Sequence, residues 1–175
     1  CKDCRKARQF QQGLGIFPYS TLLQNSLFQL KYGKRQEYGT FYGEFAAYYS
    51  REKIEKWRIN LIIPIPLHPR RLEKRGYNQA GIIAEALGKK LGIPVDERIL
   101  KRQKNTKPQK ELNHQERQKN MRNAFVARKK LEGENILLVD DIYTTGSTIE
   151  EAAKELKKAG AQKIFFLTVA IGADS

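Results

Sequence analysis

Asn135-Ile136-Leu137-Leu138-Val139-Asp140-Asp141-Ile142-Tyr143-Thr144-Thr145-Gly146-Ser147-Thr148 is the stretch that decides the fold. Ile136 to Val139 is an unbroken apolar run, as expected of a strand buried on both faces of a parallel sheet. Asp140 and Asp141 follow at once, and then a small, hydroxyl-rich turn, Thr144 to Thr148. Beyond it Ile149, Ala152, Ala153 and Leu156 recur at helical spacing. Glu150 and Glu151 stand in the first turn, Lys157 and Lys158 in the last, and Gly160 just past the end. These charges complement the helix dipole, and Gly160 suits a left-handed stop. The unit is strand, acidic pair, phosphate-sized turn, helix. Backbone N–H groups and hydroxyls of the turn can face an anion at the positive end of the helix. The acidic pair would repel that anion, but it can accept hydrogen bonds from sugar hydroxyls or meet a metal ion. Together the two describe a site for a ribose 5-phosphate. No Gly-Lys-Ser/Thr closes the turn, so it is not a Walker P-loop.

Working outward, Lys163 to Ala170 supplies another apolar strand. Upstream, Leu61 to Pro66 reads as a strand ended by Pro64 and Pro66, which cannot donate to a ladder. The segment Leu67 to Gln79 reads as a rigid loop with four cations and one acid, among them Arg70, Arg71 and Arg75. Arginine forks at a strand's C-terminal edge suit a diphosphate. The helix after it carries Ala80, Ile83, Ala84, Leu87 and Leu91 on one face and closes at Gly92. Nearer the start, Gly13 to Pro18 fits a short edge strand, and Leu23, Leu27 and Leu30 mark a helix face. Lys31 to Arg35 is a basic cluster that faces either solvent or a ligand. Phe41, Phe45, Tyr48 and Tyr49 give a second helical stripe, read as core. Arg51 to Arg58 reads as a charged connection anchored by Trp57.

The order is strand, helix, strand, basic loop, strand, helix, strand. That predicts an α/β chain with a mostly parallel central sheet flanked by helices, and with both phosphate segments on the rim at the strands' C-terminal ends. The chain has 175 residues, 40% of them hydrophobic, and a net charge of +14. Its size suits one α/β core, and its charge predicts anionic partners, either polyphosphate ligands or nucleic acid. From Lys101 to Lys130 there are eleven Lys or Arg against two Glu, so nine of the net positive charges sit in this one block. Gln115 to Arg122 reads as helical and Ala124 to Val126 as a short strand. Tyr77 and Tyr143, beside the two phosphate segments, are the candidates for stacking on a base. No apolar run is long enough to span a membrane and no signal-peptide pattern opens the sequence. The two cysteines lie together at Cys1 and Cys4, which makes a disulfide framework unexpected and a cytoplasmic setting the expectation.

Cys1-Lys2-Asp3-Cys4 has zinc-knuckle spacing, but zinc takes four ligands. The expectation is an incomplete half-site, the second half of a four-cysteine module, with residues 1–12 as its remnant and residues 13–175 as the α/β domain. A redox pair or two thiols without a role are the alternatives.

Val139 to Thr148 resembles the PRPP-binding motif of type I phosphoribosyltransferases, PRPP being 5-phosphoribosyl 1-diphosphate. The resemblance implies ribose-hydroxyl binding and a catalytic role for Asp140 and Asp141, and 5-phosphate binding by Thr144, Thr145, Gly146, Ser147 and Thr148. Pro64-Ile65-Pro66-Leu67-His68-Pro69-Arg70-Arg71, with Arg75-Gly76-Tyr77-Asn78-Gln79-Ala80, is similar to the signature of the ComF family, phosphoribosyltransferase-like proteins associated with competence. It implies a type I phosphoribosyltransferase-like fold, with a diphosphate site at Leu67, His68, Arg70, Arg71 and Arg75. It also implies a flexible basic loop that closes over PRPP, carrying Arg102, Thr106, Lys107 and Gln109. Mg²⁺ would accompany PRPP, and Zn²⁺ would be bound only by a completed cysteine module. The implied role is DNA uptake with single-stranded DNA as a partner, beside other DNA-uptake proteins. The alternative is an active phosphoribosyltransferase that moves ribose 5-phosphate from PRPP to a nucleobase or an amine.

Overall fold

The computed structural model describes residues 8–104 and 120–172. In chain order the elements are β1 (Gln12–Pro18), α1 (Thr21–Tyr32), α2 (Glu37–Trp57), β2 (Leu61–Pro64), α3 (Pro69–Arg75), α4 (Gln79–Leu91), β3 (Leu100–Arg102), β4 (Phe125–Ala127), β5 (Asn135–Tyr143), α5 (Ser147–Lys158) and β6 (Lys163–Ile171). Four strands form one sheet in the order β1-β6-β5-β2, and every pairing in it is parallel. Strands β3 and β4 pair antiparallel as a separate ribbon. Among the described residues, no helix is long and apolar enough to cross a membrane.

The period of two along a strand divides the core into two halves. Leu137 and Val139 of β5, with Phe165, Leu167 and Val169 of β6, face α1, α2 and α4. Ile136 and Leu138, with Ile164 and Phe166, face α5 and the β3–β4 ribbon. The apolar run at 136–139 is fully buried because both faces are covered, as the sequence predicts. Helix α1 begins at Ser20, whose side chain accepts from the Leu23 amide at 3.4 Å. It buries Leu23, Leu27 and Leu30 as expected. Helix α4 buries Ala80, Ile83, Ala84 and Leu87, and stops at Gly92 with φ +70°. Strand β1 is the sheet edge, as read from Gly13 to Pro18.

Four expectations are corrected. The aromatic stripe on α2 is not core at three of its four rings: Phe41, Tyr48 and Tyr49 are exposed, while Phe45 is half-buried and stacks on Phe17 at 5.1 Å. The buried face of α2 is built instead from Gly39, Tyr42, Gly43, Ala46, Ala47, Ser50, Ile54 and Trp57. Small residues let α2 approach α4 closely, a stronger constraint than the hydrophobicity of a ring. The segment from Arg51 onward is not a connection but the last turns of α2, and its anchor Trp57 stacks on Phe165 at 4.6 Å. The basic segment after β2 is not all loop, because Pro69–Arg75 is helical, with Pro69 placed where helices tolerate proline. Finally, β5 does not end at Val139. Its pairing with β6 continues through Asp140↔Thr168 to Tyr143↔Ile171, so both carboxylates sit within the strand. The predicted strand at Ala124 to Val126 is found one residue later, as β4. Most of the helix expected at Gln115 to Arg122 lies outside the described residues.

Candidate functional site

Strands β2 and β5 lie side by side with Pro64 opposite Val139. The Ile65 amide donates to the Val139 carbonyl at 2.8 Å, which carries the pairing one residue further. The basic segment therefore leaves the sheet directly beside Asp140. His68 caps α3: its Nδ1 accepts from the Arg70 amide at 3.3 Å, so His68 shapes this segment. Helix α3 presents Arg70, Arg71, Lys74 and Arg75 and ends at Gly76 with φ +86°. Asn78 Nδ2 donates to the Ile65 carbonyl at 3.1 Å, tying the far end of the segment back to its root.

Asp141 is 6% exposed and forms an ion pair with Lys31, which α1 delivers from its last turn. Its backbone N–H donates to Asp140 Oδ1 at 2.8 Å. Gln79 also hydrogen-bonds Asp141 and accepts from Arg75 Nη1, which links the acidic pair to the basic segment. Burial pushes the Asp141 carboxyl up, but Lys31 and the hydrogen bonds outweigh it and hold Asp141 below the usual carboxylate range. Asp140 is pushed the other way, by burial and then by the neighbouring Asp141 charge. Lys31 thus favours the ionised form of Asp141, while burial and the Asp141 charge disfavour that of Asp140.

The turn after β5 is formed around Gly146, whose φ of +75° an L side chain rarely adopts. A Cβ there would also collide with the Tyr143 ring. Thr145 Oγ1 and Ser147 Oγ share a hydrogen bond at 3.2 Å, and the Gly146 carbonyl accepts from the Glu150 amide at 2.8 Å. The result is a tight turn, packed against Tyr143, that sets two hydroxyls at the N-terminus of α5. Hydroxyls and backbone N–H groups at a helix N-terminus are groups that favour an anion.

Arg102 is not on a loop. It closes β3, is 9% exposed, and sets its guanidinium 5.6 Å over the Phe125 ring. Burial and then Arg71 pull its pKa down to about 10, while Asp140 opposes them. The antiparallel ribbon thus brings a cation to the same rim. Thr106, Lys107 and Gln109, the other residues expected on the closing loop, lie outside the described residues, as do Cys1 and Cys4.

Two stacking expectations change. Tyr143 is 4% exposed and its ring stacks on Phe166 at 4.8 Å, so it is a core residue. Tyr77 is half-buried and its hydroxyl donates to the Leu30 carbonyl, pinning the start of α4 to α1. Lys31 and Gln79 are the site residues to which the sequence assigns no role. Lys31 belongs to the basic cluster after Leu30, and Gln79 to the Asn-Gln-Ala run, but neither spacing shows that Asp141 is their partner.

Among the described residues, no group of three or more His, Cys, Asp or Glu is placed to hold a metal ion. Mg²⁺ needs no such group, because it keeps its waters and takes only one or two protein carboxylates.

Comparison with known proteins agrees with this geometry. Residues 72–174 match the family described as Phosphoribosyl transferase domain. The chain is 42% identical over 106 residues to Competence protein F of Haemophilus influenzae, a match spanning 59% of this chain and 46% of that protein. It is 30% identical over 168 residues to Competence protein ComFC of Bacillus subtilis, covering 91% of this chain and 67% of the relative. It is 28% identical over 168 residues to the DNA utilization protein YhgH of Escherichia coli, covering 94% and 74% respectively. Among solved structures, a purine phosphoribosyltransferase from Pyrococcus horikoshii superposes with a TM-score of 0.50 at 23% identity, over 76% of this chain and 75% of that one. This last likeness shows the shared fold.

Proposed function

Because the chain belongs to the ComF family of type I phosphoribosyltransferase-like proteins, we propose that it binds PRPP with Mg²⁺ on the rim above β2 and β5 and serves in the handling of DNA. One observation carries the reading: β2 and β5 are adjacent and parallel, so an arginine-rich segment and an acidic pair with a phosphate-sized turn rise from neighbouring strand ends. Asp140 and Asp141 would accept from the two ribose hydroxyls. The turn from Thr144 to Thr148 would hold the 5-phosphate, and the segment Leu67 to Arg75 the diphosphate. Arg102 adds charge opposite Arg71. Mg²⁺ would be held by the phosphates and the Asp pair, and would supply charge compensation to the diphosphate. The chain's own part is to place the sugar and to surround the diphosphate with fixed positive charge. The DNA role rests on the names of the relatives, competence and DNA utilization proteins, and on the net charge of +14. Residues 13–175 would form the ligand-binding domain, to which Phe10, Gln11 and Gln12 already belong by packing and pairing on β6, and Cys1 and Cys4 would belong to a cysteine zinc module.

The test is calorimetric titration of the full chain with PRPP and Mg²⁺, beside the Asp140→Asn/Asp141→Asn variant checked for cooperative unfolding. Saturable binding by the wild type that is lost in the folded variant is expected. A wild type that binds no PRPP overturns the reading.

A further inference from the structure

Helix α1 carries two aromatic rings that its own packing does not use. Its core face is Leu23, Leu27 and Leu30, yet Phe28 is 57% and Tyr32 64% exposed. Four residues apart, the rings lie on one stripe of the helix, with centroids 5.0 Å apart and planes at 48°. The Arg75 guanidinium lies 5.2 Å over the Tyr32 ring. We propose that Phe28 and Tyr32 form a stacking platform for successive bases of single-stranded nucleic acid, beside the Arg75 end of the basic segment. The proposal rests on the nucleic-acid part of the function given above and assigns it a place.

Three observations select this ligand. The first is charge: Lys34, two residues after Tyr32, and Lys74, next to the Arg75 that covers the Tyr32 ring, are both exposed. Exposed rings interleaved with cations are what a phosphodiester strand with splayed bases requires. Arg35 is not counted, because it is committed to Glu37 and to the Tyr38 ring. The second is contrast. Helix α2 also exposes Phe41, Tyr48 and Tyr49, but its charges are Glu37, Glu44, Glu52 and Glu55 against Arg51, Lys53 and Lys56. That surface has no positive excess to meet a backbone. The third is openness. Both rings are more than half exposed, whereas a free base needs an enclosing pocket to bind well.

The experiment is fluorescence anisotropy of a labelled oligothymidylate with the full chain. Phe28→Ala, Tyr32→Ala and Tyr32→Trp are compared with Tyr48→Ala/Tyr49→Ala on α2, and PRPP calorimetry is run on Phe28→Ala. Each alanine on α1 should weaken oligonucleotide binding roughly tenfold. Tyr32→Trp should retain it, the α2 variant should leave it unchanged, and Phe28→Ala should still bind PRPP. Unchanged binding in both α1 alanine variants, or an equal loss on α2, overturns the proposal. Displacement of the oligonucleotide by free thymine also overturns it, in favour of a site for free bases. A wild type that binds PRPP but no oligonucleotide overturns the proposal and the nucleic-acid role together, while the PRPP site stands.

Discussion

Lys31 and Asp141 form a pair in which neither charge is well solvated, so removing one partner strands the other. Burial alone would lower the Lys31 pKa, but the Asp141 carboxylate beside it raises it above the ordinary value. Asp141 is correspondingly depressed. The lysine's contribution is present below its ordinary pKa and is lost as pH rises through the higher folded value. The aspartate's contribution is present above the ordinary carboxylate value of about 3.9 and is lost as pH falls through the lower folded value. The pair therefore stabilises the fold across the neutral range. Asp140 opposes it, because a raised carboxyl loses stability as pH climbs past the ordinary value. Lys31→Met should cost about 3 kcal/mol at pH 7, the lower end for breaking a buried pair, since Lys31 keeps some solvent contact. The loss should shrink as pH is lowered toward 3, where an unpaired Asp141 takes up a proton. Adding Asp141→Asn should restore most of the stability at pH 7. Urea unfolding of the three proteins at pH 7 and pH 4 measures this. A Lys31→Met protein as stable as wild type at pH 7 would show that the pair is not formed in solution.

At the scale of elements, the contact between α2 and α4 is set by what is missing from α2. A Cβ on Gly43 would meet the Ile83 carbonyl, and would lie 2.6 Å from Ala86 Cβ and 3.0 Å from the Leu87 amide nitrogen. Helix propensity favours Gly→Ala by about 1 kcal/mol. Here the obstacles are backbone atoms of a packed helix, which cannot step aside, so overpacking of about 1–3 kcal/mol should win. Gly43→Ala is thus expected to lower the thermal midpoint, while Tyr48→Ala, at an 87% exposed position on the same helix, should leave it within experimental error. Differential scanning calorimetry of both variants decides it. The same helix shows what the sequence could and could not tell. Strands β5 and β6, helices α1, α4 and α5, and the glycine turn were legible because their apolar period, caps and breakers agree with their final surroundings. The α2 face was misread because its rings outweigh its small residues in any hydrophobic pattern, although close helix packing uses the small ones. Strand β3 was missed because three residues alternating buried and exposed carry almost no periodic signal. In the site, Asp140, Asp141 and Arg75 were legible from local composition. The Lys31–Asp141 and Gln79–Asp141 contacts were not, because they join residues far apart in sequence that only the parallel sheet brings together.

For the molecule as a whole, the proposed function makes the rim two half-sites on adjacent, parallel strands of one sheet. PRPP is a bivalent ligand for such a rim, because its 5-phosphate and diphosphate are joined through a single ribose. Each half should then bind its own fragment: ribose 5-phosphate at Asp140 to Thr148, inorganic diphosphate with Mg²⁺ at Leu67 to Arg75. The fragments should be weak singly, compatible with one another, and each displaced by PRPP. A ligand at a hundred times its dissociation constant stabilises the folded state by about 2.7 kcal/mol. In a chain of this size that raises the thermal midpoint by roughly 5–10 °C. Saturating PRPP with Mg²⁺ should reach this range, and each fragment at equal concentration should fall well short of it. Thr145→Val/Ser147→Ala should weaken the shift from ribose 5-phosphate while sparing that from diphosphate, because it removes the two hydroxyls of the turn without touching α3. Arg71→Ala/Arg75→Ala should do the reverse. Thermal scans of the wild type and both variants with each ligand distinguish the cases. If both variants lose both shifts equally, the rim acts as one indivisible pocket and the division between β2 and β5 is wrong. If each variant loses only its own, the parallel pairing of those two strands is what turns two modest anion sites into one site for a ribose 5-phosphate diphosphate.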